Sequence, residues 1–235
     1  EVAQGLTELA KGGVNVADIM AGAAAATLDL ATAGEVDLAT ASSITADALN
    51  LFHLKGEDVR NVVDQIAGVA NATTTDVGEF AMAMSMGGGA AAVAALDFHD
   101  LALAIGAMAE SGLKGSDAGT SLKTMLLNLQ PTTKDAKKAF EELNLVTADG
   151  KSKFVDAEGA IRSVRDIADL LQESLDGMTE SDRLRLLEKA FGTDALRAAG
   201  ALAKEGAEGI DKLIVAMDNV TASDVAAGKM EGWSG

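Results

Sequence analysis

Ala107-Met108-Ala109-Glu110-Ser111-Gly112-Leu113-Lys114-Gly115-Ser116-Asp117 reads as the end of one helix and the start of the next. An apolar run closes on Gly112, and Leu113 follows it. A glycine just past a helix, then an apolar residue, fits a Schellman stop in which the glycine takes the left-handed conformation. Ser116 offers a side-chain oxygen to cap a new helix through Leu122, Met125, Leu126 and Leu129. Working outward, Asp97 caps the helix that ends here, which carries Leu101, Ile105 and Met108. Farther upstream, Asp37 precedes Leu38, Ile44, Leu49 and Leu51. Glu57 opens a helix with Val59, Val62, Val63, Ile66 and Val69 on one side, and Thr75 precedes a Met-rich helix with Phe80, Met82, Met84 and Met86.

Downstream, Pro131 ends the helix and Thr133 starts a charged one through Ala139, Phe140 and Leu143. Residues 145–148 and 151–155 flank Asp149-Gly150, which predicts a small β-hairpin because Asp-Gly accepts positive φ. Helical pattern resumes after Gly159 through Ile167, Leu170, Leu171 and Leu175, and Gly177 stops it. Thr179 caps the next, with Asp182 in the place of a capping-box acid. Leu184, Leu186, Leu187 and Phe191 follow, Gly192 ends that helix, Thr193 opens another, and a last one covers residues 210–217. The fold class is mainly α: about ten short Ala/Leu-rich helices with one hairpin near residues 145–155. The caps and glycines forbid one continuous rod.

Residues 48–58 echo residues 107–117, sharing Ala, Leu, Lys, Gly and Asp at the same places. Two readings stand: a two-fold helix-pair duplication within residues 1–130, or helix punctuation recurring by chance in an Ala/Gly/Leu-rich chain. Residues 131–235 then hold the hairpin and the remaining helices. The chain begins at Glu1 and stops just after Trp233, and it reads as a piece of a longer polypeptide.

Composition limits the chemistry. Hydrophobic residues are 48% and aromatics 3%, so the core must be built from Ala, Leu, Val, Ile and Met. Such a core buries little apolar area per residue and should lean on neighbours for stability. With 36 acidic and 19 basic residues the net charge is −17, and the basic residues are scattered, which argues against a phosphate-binding surface. No cysteine is present, so disulfides and thiolate chemistry are excluded. The uncharged stretch 80–96 is interrupted by three glycines and falls short of a bilayer span.

His99 between Asp97 and Asp100 suggests a metal site or general base, but adjacent helical positions diverge, and a cap followed by a first-turn histidine explains the trio better. Gly87-Gly88-Gly89 lacks the Lys-Ser/Thr of a phosphate loop, and a close backbone contact or helix break accounts for it. No catalytic, cofactor or metal residues are assigned. Met82, Met84 and Met86 are core filler or an adaptable interface, since Met repacks readily.

The stretch from Gly112, Leu113, Lys114, Gly115, Ser116 through Gly119 to Leu126 closely resembles the signature of the tape-measure core family of long-tailed phages. In that family the stretch precedes a Leu, a Pro-Thr pair and a charged helix, here Leu129, Pro131-Thr132 and residues 133–143. An Asp-Gly turn and a Leu-rich helix ending in Phe-Gly-Thr follow, here Asp149-Gly150 and Phe191-Gly192-Thr193. The resemblance runs in order over essentially the whole chain and departs at Gly87-Gly88-Gly89 and Asp97-Phe98.

It implies a structural tail protein of the virion. Such a protein would occupy the tail tube during assembly, set its length and leave ahead of the DNA. Implied partners are further copies of itself (three favoured over six), the tail tube protein, distal tail and hub proteins and assembly chaperones. No specific nucleic acid is implied, and a host membrane only through parts outside this chain. It would reside in the host cytoplasm during assembly. Met82, Met84, Met86, Leu122, Leu126 and Leu129 are the candidate self-contacts. The acidity either eases expulsion along the DNA path or simply maintains solubility. A helical membrane-active or secreted pore-forming protein is the alternative.

Overall fold

In the computed structural model, which describes residues 2–233, caps and stops divide the chain into short helices. Helix α1 is Val2–Lys11. A short α2, Val16–Asp18, passes through a π-turn at Ile19–Ala23 into α3, Ala24–Gly34. There follow α4, Leu38–Leu51, a 3-10 turn at Gly56–Asp58, α5, Val59–Ala72, and α6, Val77–Val93. Then come α7, Phe98–Glu110, α8, Gly115–Leu127, and α9, Lys134–Glu142. The last four are α10, Val164–Leu175, α11, Glu180–Phe191, α12, Ala195–Asp218, and α13, Ala222–Trp233. The longest, α12, has 24 residues and is itself broken at Gly206, whose φ is 60° and ψ −169°.

The stop at Gly112 is a Schellman motif. Gly112 has φ 77°, its amide donates to the Ala109 carbonyl at 2.8 Å, and the Leu113 amide donates to Met108 at 3.0 Å. The same six-to-one bond recurs where no glycine marks it. Glu35, His53, Ala95 and Asn144 take φ between 52° and 59°. The amides of Val36, Leu54, Leu96 and Leu145 reach back to Ala31, Leu49, Ala91 and Phe140. Each left-handed residue is followed by an apolar one, and that buried or half-buried residue selects the stop.

Asp37, Asp97, Thr133 and Thr179 cap their helices as expected, each accepting the amide of the residue three positions on. Ser116 does not: α8 begins at Gly115 behind Lys114, and Ser116 is exposed in its first turn. Helices α1 to α3 occupy the first 34 residues, and α13 extends beyond the last helix read from the sequence.

The predicted β-hairpin is a correction. No strand forms around Asp149-Gly150, only an isolated bridge between Val146 and Ser152, and a second between Val155 and Ile161. The turn itself exists: the Thr147 amide donates to Lys151 and the Gly150 amide to Thr147. Pairing stops there because the flanking residues are drawn inward. Ser152 Oγ donates to the Leu129 carbonyl at 2.6 Å, and Leu145 and Phe154 are fully buried. Asp156 then closes another turn, its carboxylate accepting the amides of Glu158 and Ala160.

The chain forms two compact units. The first comprises Glu1–Ala81 and Ile214–Gly235. Within it α3 packs on α4, α5 and α13, and α1 packs on α4. The second is Met82–Leu213, in which α7 packs on α8 and α10, and α9 on α11. Phe140, Phe154 and Phe191 meet in its core with centroids 5.4–6.2 Å apart. Edge and tilted ring contacts of this kind add about 0.5–1.5 kcal/mol per pair beyond burial. This cluster concentrates three of the chain's six phenylalanines in one place.

Candidate assembly surface

The signature residues fold into a clasp rather than a cleft. Gly119 lies against α6 so closely that an added Cβ would clash with the Ala83 carbonyl and stand 2.7 Å from Met86 Cβ. Gly87 faces it from α6, where a Cβ would sit 2.9 Å from the Gly119 carbonyl. Helices α6 and α8 therefore cross with backbones in contact, which only small residues allow. The triple glycine is helical, and its first member makes this approach.

The opposite side of α8 holds the Phe191-Gly192-Thr193 stretch. Asn128 Nδ2 donates to the Phe191 carbonyl at 2.8 Å, Ser121 Oγ donates to the Asp194 carbonyl at 2.8 Å, and Arg197 pairs with Asp117 at 3.5 Å. These bonds join motifs more than 60 positions apart in sequence. Neither Ser121 nor Asn128 stands out when the sequence is read alone; an uncharged polar residue within an apolar helical face is the signal. Leu113 and Gly115 are buried, Lys114 precedes α8, and Pro131 lies in the connection after it. Gly192, at φ 85°, ends α11.

The candidate self-contacts divide. Met84, Leu122, Leu126 and Leu129 are buried within the second unit. Met82 and Met86 are 47% and 44% exposed, on the same side of α6 as Val93 at 88%. Leu127, which the sequence reading passed over, is 65% exposed on α8. Elsewhere, Val16–Gly34 is apolar and long enough to cross a membrane by length and composition, a segment hidden in the sequence by Asp18, Asp29 and Gly22. Its inner side, with Ala23, Ala26 and Leu30, is buried in the first unit.

The acid–base candidates serve helix ends. Asp97 accepts the Asp100 amide at 2.7 Å, and Asp100 accepts the Val164 amide at 2.8 Å, at the start of α10. Burial raises the Asp100 carboxyl above its ordinary value, against the lowering effect of that amide. Asp64 does the same service for α13, accepting the Ala222 amide at 2.9 Å. Among the described residues no group of three His, Asp or Glu side chains could hold a metal ion. A polar cleft of about 630 Å³ beside the Asp149 turn includes Lys137, Glu141, Lys151 and Arg162. Arg162 donates to the Lys153 carbonyl and Lys151 pairs with Asp149, so these cations are engaged in holding the turn.

Comparison with known proteins identifies the family and relatives of the chain. Residues 1–192 match the family described as phage-related minor tail protein. The chain is 34% identical over 230 residues to the tape measure protein of Pneumococcus phage Dp-1, covering 98% of this chain and 19% of that protein. It is 27% identical over 215 residues to a probable tape measure protein of Escherichia phage P2, covering 88% of this chain and 25% of that one. The chain thus spans a quarter or less of these relatives. No solved structure matches it.

Proposed function

Since this chain belongs to the phage-related minor tail protein family, we propose that it is the packed core segment of a tail tape measure. It is a structural component of the phage tail. In the proposed role, the longer polypeptide that carries it occupies the growing tail tube, sets the number of tube rings and leaves ahead of the genome. Assembly begins in the host cytoplasm, where chaperones hold the protein until tube subunits close around it. Distal tail and hub proteins anchor one end. Several copies lie together, three in preference to six.

The observation that carries this reading is the near-complete alignment, 98% of the chain, with a tape measure protein. The clasp supports it: the family signature is spent on packing α8 against α6 and the Phe191 stretch, as befits a structural part. The −17 charge suits a protein that must share a channel with DNA without adhering to it.

The test is tail length. A helical ruler contributes about 1.5 Å per residue. An in-frame deletion of about 100 residues outside this segment should therefore shorten tails by about 150 Å, measured by electron microscopy of virions. Tails of unchanged length would refute the ruler role. Replacing Gly119 with Leu within the segment should abolish tail formation without altering tail length in any survivors.

A further inference from the structure

Two stretches of the chain lay down the same elements with the same punctuation. Asn15 and Asp76 each accept an amide three residues on, from Asp18 and Glu79. A long apolar helix follows each, α2 through α3 in one and α6 in the other. Both end in a left-handed residue, Glu35 or Ala95, then an apolar residue, then the capping Asp37 or Asp97. Helices α4 and α7 follow, and each stops at a left-handed residue, His53 or Gly112. Leu-Lys-Gly then leads towards α5 or α8. The stretch from Asn15 to Glu35 is one residue longer than that from Asp76 to Ala95. A π-turn, at Ile19–Ala23, is where a helix takes up an extra residue.

Burial keeps the same register. Ala23, Thr27 and Ala31 of α3 are buried, and so are Ala83, Gly87 and Ala91 of α6. The next row departs. Ala26, Leu30 and Ala33 are buried on α3, whereas their counterparts Met86 and Val93 are exposed and Ala90 is half-buried. Gly68 of α5 is buried, and its counterpart Leu127 of α8 is exposed.

The difference is the presence of a covering helix. In the first stretch α13 packs on both α3 and α5, and Asp64 holds the amide at its start. Gly68 allows the Met217 backbone to approach, since a Cβ there would stand 2.9 Å from the Met217 carbonyl. In the second stretch this same surface is exposed at Met86, Val93 and Leu127, and Lys123 stands in the place of Asp64.

We propose that the two stretches are copies of one helical module, and that the bare face at Met86, Val93 and Leu127 seats a helix of a second copy of this chain. The incoming helix takes the place that α13 occupies against α3 and α5. This rests on the self-association proposed above and names where it occurs. Charge selects the occupant. Residues 80–96 carry no charge in a chain of net charge −17, so like copies approach there without repulsion. Lys123 at the edge is a cation facing a strongly acidic partner. It offers no acceptor to a helix N-terminus, as Asp64 does, and favours an acidic side chain or a helix C-terminus instead.

The test is the oligomeric state of the chain by sedimentation velocity, with Val93→Glu/Leu127→Glu as the variant. Both positions are exposed, so helicity and melting temperature should match the wild type, while association weakens by about tenfold or more because two charges enter an apolar contact. Met20→Glu, at a residue 82% exposed on the first unit, is the matched control and should associate as the wild type does.

Unchanged association of the double variant would overturn this surface and leave self-association standing. A wild type that stays monomeric at about 100 µM, well above a micromolar affinity, would overturn both. Co-flotation of the wild type, but not the double variant, with phosphatidylcholine–phosphatidylglycerol vesicles would assign the face to lipid and overturn the proposal too.

Discussion

Replacing Gly119 with Ala should destabilise the second unit, although alanine is the better helix former. The added Cβ would stand 2.7 Å from Met86 Cβ and nearer still to the Ala83 carbonyl oxygen. Carbon contacts are comfortable from about 3.5 Å, so α8 must retreat from α6 by roughly 1 Å. The neighbours along that crossing, Gly87 and Ala83, are backbone and cannot rotate aside. Overpacking of this kind costs about 1–3 kcal/mol. The helix propensity gain returns about 1 kcal/mol. The expected net loss is about 0–2 kcal/mol, which lowers the melting temperature of a chain this long by up to about 8 °C.

Gly200→Ala is the opposing control, since nothing lies within 4 Å of a Cβ added there on α12. It should gain about 0.5–1 kcal/mol and raise the midpoint. Circular dichroism at helical wavelengths during heating reads both. If Gly119→Ala melts above the wild-type temperature, as Gly200→Ala should, the backbone-contact crossing is wrong.

The helix stops give a second paired test. His53, at φ 53°, pays for a left-handed conformation that Gly112 adopts freely, so His53→Gly should stabilise and Gly112→Ala destabilise, each by about 1 kcal/mol; urea midpoints moving in the same direction would contradict this. Acid should weaken the fold through its caps. Hydroxyl hydrogen bonds from Thr40, Thr179 and Thr221 hold Asp37, Asp182 and Asp224 below their ordinary value of 3.8. Their contribution is complete above the unfolded value and is lost as pH falls through the lower folded values. Asp100 runs the other way, because burial raises it and its ionised form costs stability that protonation relieves. Melting temperature should therefore fall steeply below about pH 4, and less steeply when Asp37, Asp182 and Asp224 are all alanine; parallel curves would refute the assignment.

The sequence alone determined the helical class and most of its boundaries, because caps and stops are local. Asp37, Asp97, Thr133 and Thr179 need only the amides three residues ahead, and the Gly112-Leu113 stop needs only its own turn. The family was also legible, since ordered motifs survive as strings. Local signals failed where tertiary contacts outbid them. Asp149-Gly150 made its turn, yet no strands followed, because Ser152 found the Leu129 carbonyl and Phe154 found the aromatic core. Ser116 looked like a cap, but the Gly115 backbone, at φ 56°, starts the helix earlier.

Burial was likewise undecidable from composition. Met82, Met84 and Met86 are alternate residues of one apolar helix, and helical geometry turns Met84 inward and the other two outward. Whether an apolar row is core or surface depends on whether another helix lies over it. On α3 the answer is α13, a segment almost 200 residues later in the chain, packed on both α3 and α5. On α6 the same row is exposed at Met86 and Val93.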